Sequence, residues 1–139
     1  MFILDTNVIS ELRKAGSGRA DHNVTTWAAS IPPASLFLSV INLLELERGV
    51  LLIERRDTAQ GVALRAWLDR QVVPAFADRI LPVTNDIARR CARLHIPNPR
   101  SERDALIAAT ALVHDMTVAT RNVGDFAGTG VIVLNPWQA

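Results

Sequence analysis

Five short apolar runs punctuate the chain, at Phe2-Asp5, Leu36-Val40, Ile80-Val83, Thr117-Thr120 and Val131-Leu134. Their length and β-branched content predict strands. Between them the apolar positions recur every three or four residues, as on the face of a helix. This pattern predicts helices over Val8-Lys14, Val24-Ser30, Leu43-Arg56, Thr58-Ala77, Asn85-His95 and Glu102-His114. The breakers fall between them: Gly16-Ser17-Gly18, Pro32-Pro33 and Pro97-Asn98-Pro99. Proline cannot donate to a helical ladder and so closes the segment before it. No internal repeat and no linker interrupts the series.

Strands separated by helical segments of this length predict an α/β fold, a parallel sheet covered by helices on both faces. Right-handed crossovers then fix which end of each element lies where. Open sheets of this kind bind ligands outside the carboxyl ends of their strands. Asp5 ends the first strand and therefore lies at that edge. Glu45 is in the first turns of the helix after the second strand, and Asp104 opens the helix that runs down into the fourth. Asp125 follows the fourth strand. Topology thus gathers four acids, spread over most of the chain, at one edge of the sheet.

Each acid also has a plain reading. Asp5 is placed to cap the helix after it, as is Thr6, and Asp104 lies three residues after Ser101 in a pattern like a capping box. Glu45, Glu47 and Arg48 together could form a solvated face, and Asp125 is an ordinary loop acid. Capping does not explain convergence. Carboxylates held together repel and take up protons unless a cation sits among them. An oxygen-only donor set favours Mg²⁺ or Mn²⁺ over zinc. Such a cation bound by a few carboxylates suits phosphodiester chemistry.

Composition sharpens this picture only in places. The 139 residues suffice for one domain with a single core, and 49% apolar with 21% charged residues describes a folded protein. Fifteen basic residues against fourteen acidic ones leave a formal charge of +1, so a nucleic-acid partner must be met by a local basic patch. Fourteen of the fifteen are arginine, which a codon bias explains as well as phosphate binding does. Cys91 is the sole cysteine, which excludes an intramolecular disulfide and a multi-cysteine metal site. At helical spacing with Ile87 and Leu94, it is expected to be a buried structural thiol. His22, His95 and His114 share no ligand-like spacing with one another and are expected at the surface or as caps. The first apolar run lacks a basic leader and no run approaches a membrane span, so a cytoplasmic location is expected.

The stretches LDTNVISE, LLELERGV, RDALIAATA, ATRNVGDF and NPW occur in this order along the whole chain. Together they resemble the PIN-domain ribonucleases, in particular the toxin subunits of VapBC-type toxin–antitoxin pairs, including the FitB branch. The resemblance implies a single three-layer α/β/α domain over residues 1–139, with a central parallel sheet of four to five strands. It implies a metal-dependent endoribonuclease using Mg²⁺ or Mn²⁺, with Asp5, Glu45 and Asp104 as the first three acids. For the fourth, relatives place an acid at the position of Asn122 or of Asp125; only Asp125 is acidic here, as ligand or water-positioning group, with Asn122 a neutral helper. Thr6, Asn7 and Thr120 fall where polar groups would orient Asp5. The loop Ile96-Arg103 looks shorter than in many relatives and could alter substrate access. The resemblance also implies a homodimer and a small VapB/FitA-like antitoxin that presents arginine to the acids and carries operator DNA contacts, RNA being the substrate. Arg48, Arg103 and Arg121 are candidates for the RNA backbone or for surface ion pairs. Leu64, Trp67 and Leu68 are read as packing on the sheet, or as a surface for the antitoxin or the dimer.

Two other readings remain at this level. The acids could serve only to hold the antitoxin, in a non-catalytic subunit of a DNA-bound regulatory complex. Alternatively, the chain could hydrolyse small phosphoesters, although Asn7 stands where an aspartyl-phosphate mechanism commonly has a second acid.

Overall fold

A computed structural model describes residues 1–139. The strands are β1 (Phe2–Leu4), β2 (Leu36–Ser39), β3 (Ile80–Leu81), β4 (Thr117–Ala119) and β5 (Val133–Leu134). They form one parallel sheet in the order β3-β2-β1-β4-β5, so β1 is central. A central strand of a parallel sheet is buried on both faces, and Ile3 and Leu4 are fully buried. Their side chains alternate across the sheet, as the pleat requires. Leu4 joins one hydrophobic layer with Val8, Val24, Leu38 and Leu46, whereas Ile3 joins the other with Ile107, Ala108 and Val118.

The helices are α1 (Thr6–Arg13), α2 (His22–Ser30), α3 (Val40–Arg56), α4 (Thr58–Trp67), α5 (Val73–Ala75), α6 (Asn85–Leu94) and α7 (Glu102–His114). The three-layer α/β/α arrangement and its parallel sheet match the sequence reading, with five strands. Every strand is shorter than its apolar run. Asp5, Val40 and Thr120 fall just past the strands, each beginning or bordering a helix or turn at the sheet edge, although the Asp5 and Thr120 amides still donate to the neighbouring strands.

The segment read as one helix over Thr58-Ala77 is helical without interruption as far as Ala75, but not α-helical throughout. Between α4 and α5 the chain widens into a π-helical turn at Leu68–Val72. Pro74 supplies the reason: it lacks an N–H and its ring crowds the carbonyl four residues earlier, so the ladder shifts in the turn before it. α3 and α4 cross closely at Gly61, where a Cβ would lie 2.6 Å from the Glu54 Cα. Only glycine allows that approach.

The helix starts position the site. Asp5 caps α1, with one carboxylate oxygen accepting from the Thr6 amide at 2.8 Å. Ser39 and Asn42 form a reciprocal capping box at the start of α3. Ser101 caps α7 by accepting from the Asp104 amide at 3.4 Å. All three starts lie at the carboxyl edge of the sheet, as the crossover argument requires. No helix is long and apolar enough to cross a membrane.

Candidate active site

Asp5 is the anchor. Its backbone N–H continues the ladder to the Ala119 carbonyl at 2.9 Å, which fixes the residue to the end of two strands. Its side chain is 1% exposed, and burying a charge so completely requires partners on both oxygens. One oxygen takes the Thr6 amide. The other accepts from the Thr120 hydroxyl at 2.7 Å and, more weakly, from the Asn7 amide at 3.5 Å. Asn7 also donates to the Thr120 oxygen at 3.3 Å and accepts from the Arg121 backbone at 3.3 Å, tying the β1 and β4 ends together. Thr6, Asn7 and Thr120 thus touch the groups the sequence assigned them to.

Glu45 is held by a separate chain of bonds. The Ser39 amide donates to the Asn42 oxygen at 2.9 Å, and the Asn42 NH₂ donates to the Thr6 hydroxyl at 3.2 Å. That hydroxyl in turn donates to Glu45 at 2.7 Å. Asn42 is fully buried and has no counterpart among the residues singled out in the sequence. Its signal was present in Ser39-Val40-Ile41-Asn42, a capping pattern after an apolar run.

Asp5, Glu45 and Asp104 converge on a single cation, the guanidinium of Arg103. Its Nε donates to Glu45 at 2.5 Å, one terminal nitrogen to Asp104 at 2.6 Å and the other to Asp5. The Arg103 side chain is 29% exposed, while Glu45 and Asp104 are 20% and 14% exposed. Burial works against the guanidinium charge. The hydrogen bond to Glu45, the charge and hydrogen bond of Asp5 and the bond to Asp104 outweigh it, and together they hold Arg103 above its ordinary pKa. Three carboxylates against one guanidinium leave two negative charges in excess.

The fourth acid stands apart. Asp125 lies in a 3₁₀ turn, Val123–Phe126, with its side chain exposed and in no ion pair with the others. Asn122 is exposed as well, and its amide donates to the Thr120 hydroxyl at 3.0 Å. Of the other arginines weighed for the backbone of a nucleic acid, Arg121 lies over the Trp137 ring at 5.2 Å and Arg48 is exposed. Beside Glu45 a groove of about 440 Å³ runs between α3 and α4, lined by Leu46, Val50, Leu64 and Trp67 among others. Leu68 is buried in the core, and Leu64 and Trp67 pack against that core from the groove side.

Cys91 is buried and His95 is the C-cap residue of α6, both as the sequence predicts. The ring nitrogen Nε2 of His95 also lies 3.9 Å from the Cys91 sulfur and 3.4 Å from Glu102.

Residues 2–130 match the PIN domain family model. The chain is 38% identical to VapC ribonuclease Y4jK of Sinorhizobium fredii and 36% identical to toxin FitB of Neisseria gonorrhoeae, in each case over 99% of both chains. Among solved structures, FitAcB from Neisseria gonorrhoeae superposes with a TM-score of 0.90 at 35% identity, covering both chains completely. FitAB bound to a DNA fragment superposes at 0.87 with 34% identity, over 99% of this chain and 96% of that one. Sequence, topology and the acids at the sheet edge agree, and the chain belongs to the PIN-domain family as a relative of its VapC and FitB members.

Proposed function

We propose that this chain is the toxin of a type II toxin–antitoxin pair, an endoribonuclease that hydrolyses RNA phosphodiester bonds with Mg²⁺ or Mn²⁺ and is silenced by a cognate antitoxin. The observation that carries this reading is the convergence of Asp5, Glu45 and Asp104 on one cationic group at the carboxyl edge of the sheet. Three carboxylates arranged around a single positive charge offer hard oxygen donors to a divalent ion in the same place, which suits Mg²⁺ or Mn²⁺. Such an ion, when bound, offsets phosphate charge and acidifies a coordinated water.

The residues of this chain divide the remaining work. Thr120, Asn7 and the Thr6 amide fix the Asp5 carboxylate. Asn42 and the Thr6 hydroxyl aim Glu45, while Ser101 holds the first turn of α7 and with it Asp104. Preset donors avoid reorganisation during the reaction. Asp125, exposed at the rim, is assigned to orient water or substrate, with Asn122 beside it. Arg103 is the cation that the three acids hold, and its guanidinium is of a kind suited to phosphate once another cation takes its place.

The antitoxin assignment rests on the relatives, whose solved structures include FitAcB and FitAB bound to a DNA fragment. A segment that presents a guanidinium to the acids and apolar side chains to the α3–α4 groove would fit this surface. DNA would be reached through the antitoxin, and a homodimer is expected. A location in the cytoplasm accords with this role.

The test is an assay of the partner-free chain on defined RNAs with Mg²⁺ or Mn²⁺, beside Asp5→Asn. Cleavage that requires the ion and is lost in the variant is the expected result. Cleavage that persists in chelator, or that Asp5→Asn leaves unchanged, would overturn the reading.

A further inference from the structure

On the far side of α7 from the carboxylate centre, three ligand types of a different chemistry meet. Cys91 and His95 are one turn apart at the end of α6, and Glu102 is the first residue of α7. The Cys91 sulfur lies 3.7 Å from one Glu102 oxygen and 3.9 Å from His95 Nε2, which is 3.4 Å from the other Glu102 oxygen. One ligand atom from each residue can be chosen so that all lie within 4.8 Å of one another. A tetrahedral zinc ion with its usual bonds to sulfur and nitrogen separates its ligands by about 3.3 to 3.6 Å. The Cys91 sulfur and His95 Nε2, at 3.9 Å, are within a few tenths of an ångström of that spacing, and rotation of the exposed Glu102 carboxylate, whose two oxygens now face the two ligands separately, would bring one oxygen to both.

We propose that Cys91, His95 and Glu102 form a second cation site, for a thiophilic divalent ion of the zinc class. Thiolate, imidazole and carboxylate are a borderline-soft set that zinc accepts and Mg²⁺ does not. Three protein ligands leave a fourth position for water. Glu102 is 73% exposed, so the ion has a path from solvent, while the sulfur stays buried.

Loading the site moves protons in a defined way. Without an ion, burial first and the Glu102 charge second raise the Cys91 pKa and keep the thiol protonated. The ion displaces that proton to solvent. The Arg100 amide now donates to His95 Nδ1 at 3.2 Å, so Nε2 carries the ring proton and faces Glu102. Binding the ion through Nε2 transfers that proton to Nδ1, and the Arg100 amide must release its acceptor. The connector between α6 and α7 therefore changes when the ion arrives. That connector leads straight into the turn that carries Arg103 and Asp104, so the site would clip α6 to the base of the carboxylate centre.

Cobalt(II) makes the test specific, because a sulfur-to-cobalt charge-transfer band can come only from the single cysteine of this chain. The chain, prepared without a polyhistidine tag, is titrated with Co²⁺ and then with competing Zn²⁺. The band is expected at stoichiometric cobalt, lost when Zn²⁺ is added, absent in Cys91→Ser and retained in Asp5→Asn. Hydrogen exchange at the Arg100 amide should quicken in the loaded protein. Because Cys91 is buried and its variant could fold poorly, Glu102→Gln at the exposed ligand provides a second arm. It should weaken Co²⁺ binding by at least the roughly tenfold that even an outer-shell partner is worth. Absence of the band in the parent chain, its survival in Cys91→Ser, or unchanged affinity in Glu102→Gln would each overturn the site.

Discussion

Replacing Arg103 with glutamine keeps much of the side chain's length and removes its charge, and the structure sets what should follow. Three charge-assisted hydrogen bonds join this guanidinium to Glu45, Asp104 and Asp5. Each such bond is worth about 1.5–3 kcal/mol net when shielded from water. Arg103 is 29% exposed, so solvent screening reduces the sum, and about 3 kcal/mol is the expected loss in metal-free protein. For a domain of this size that lowers the melting temperature by roughly 10 °C. The sign reverses once divalent ion is present. The guanidinium and the ion need the same three carboxylates, so removing the guanidinium removes a competitor. If displacing it costs even about 1.4 kcal/mol, the variant should bind Mn²⁺ about tenfold more tightly. Scanning calorimetry in chelator and in Mn²⁺, with Mn²⁺ affinity by titration calorimetry, gives both numbers. An Arg103→Gln chain that melts like the parent in chelator and binds Mn²⁺ no better would refute the view that Arg103 holds the acids.

Other outcomes follow from the same geometry. Thr6→Val breaks the relay from Asn42 to Glu45 and should cost about tenfold in Mn²⁺ affinity or RNA cleavage, measured beside an unchanged circular-dichroism spectrum. Asp125→Asn is expected to leave Mn²⁺ affinity intact while slowing cleavage, since its exposed carboxylate is not among the three that hold Arg103; a matching loss of affinity would make it a ligand instead. Gly61→Ala would drive a Cβ into the Glu54 backbone at 2.6 Å and should destabilise the fold by about 1–3 kcal/mol in urea denaturation. Glu47 has its pKa lowered, chiefly by its hydrogen bond to Arg65, so it stabilises the fold above the ordinary carboxylate range and loses this as pH falls through the lowered value. The pair is partly exposed and screened by solvent, so Glu47→Gln should flatten only the acid limb of the stability curve.

Much of the architecture was legible because it rests on periodicity. The apolar run before Asp5 had to be a strand, and the helices after it had to start at one edge, so the meeting of Asp5, Glu45 and Asp104 followed from chain direction alone. What escaped was set by side-chain reach. Nothing in the spacing of Arg103 says that its three nitrogens divide among three acids, one of them its own neighbour Asp104. The Ser39-Asn42 capping pattern was there to read, but that the Asn42 side chain also reaches Thr6, 36 positions away, depends on how α1 packs beside α3. Pro74 lay within the stretch read as one helix, and its effect on the ladder appears a turn earlier, at Leu68–Val72.

The central position of β1 has a consequence for when the acid site is assembled. β1 precedes the other four strands along the chain, yet one of its two partners, β4, lies at Thr117–Ala119. Until that strand is made, one edge of β1 is open, and Asp5 lacks both the Ala119 carbonyl and the Thr120 hydroxyl that fix it. Glu45 and Asp104 are by then already on the chain but have nothing to converge upon. Nicking the backbone anywhere between β1 and β4 threatens the same meeting. The three acids are therefore brought together late and all at once, only when β4 has joined the sheet beside β1.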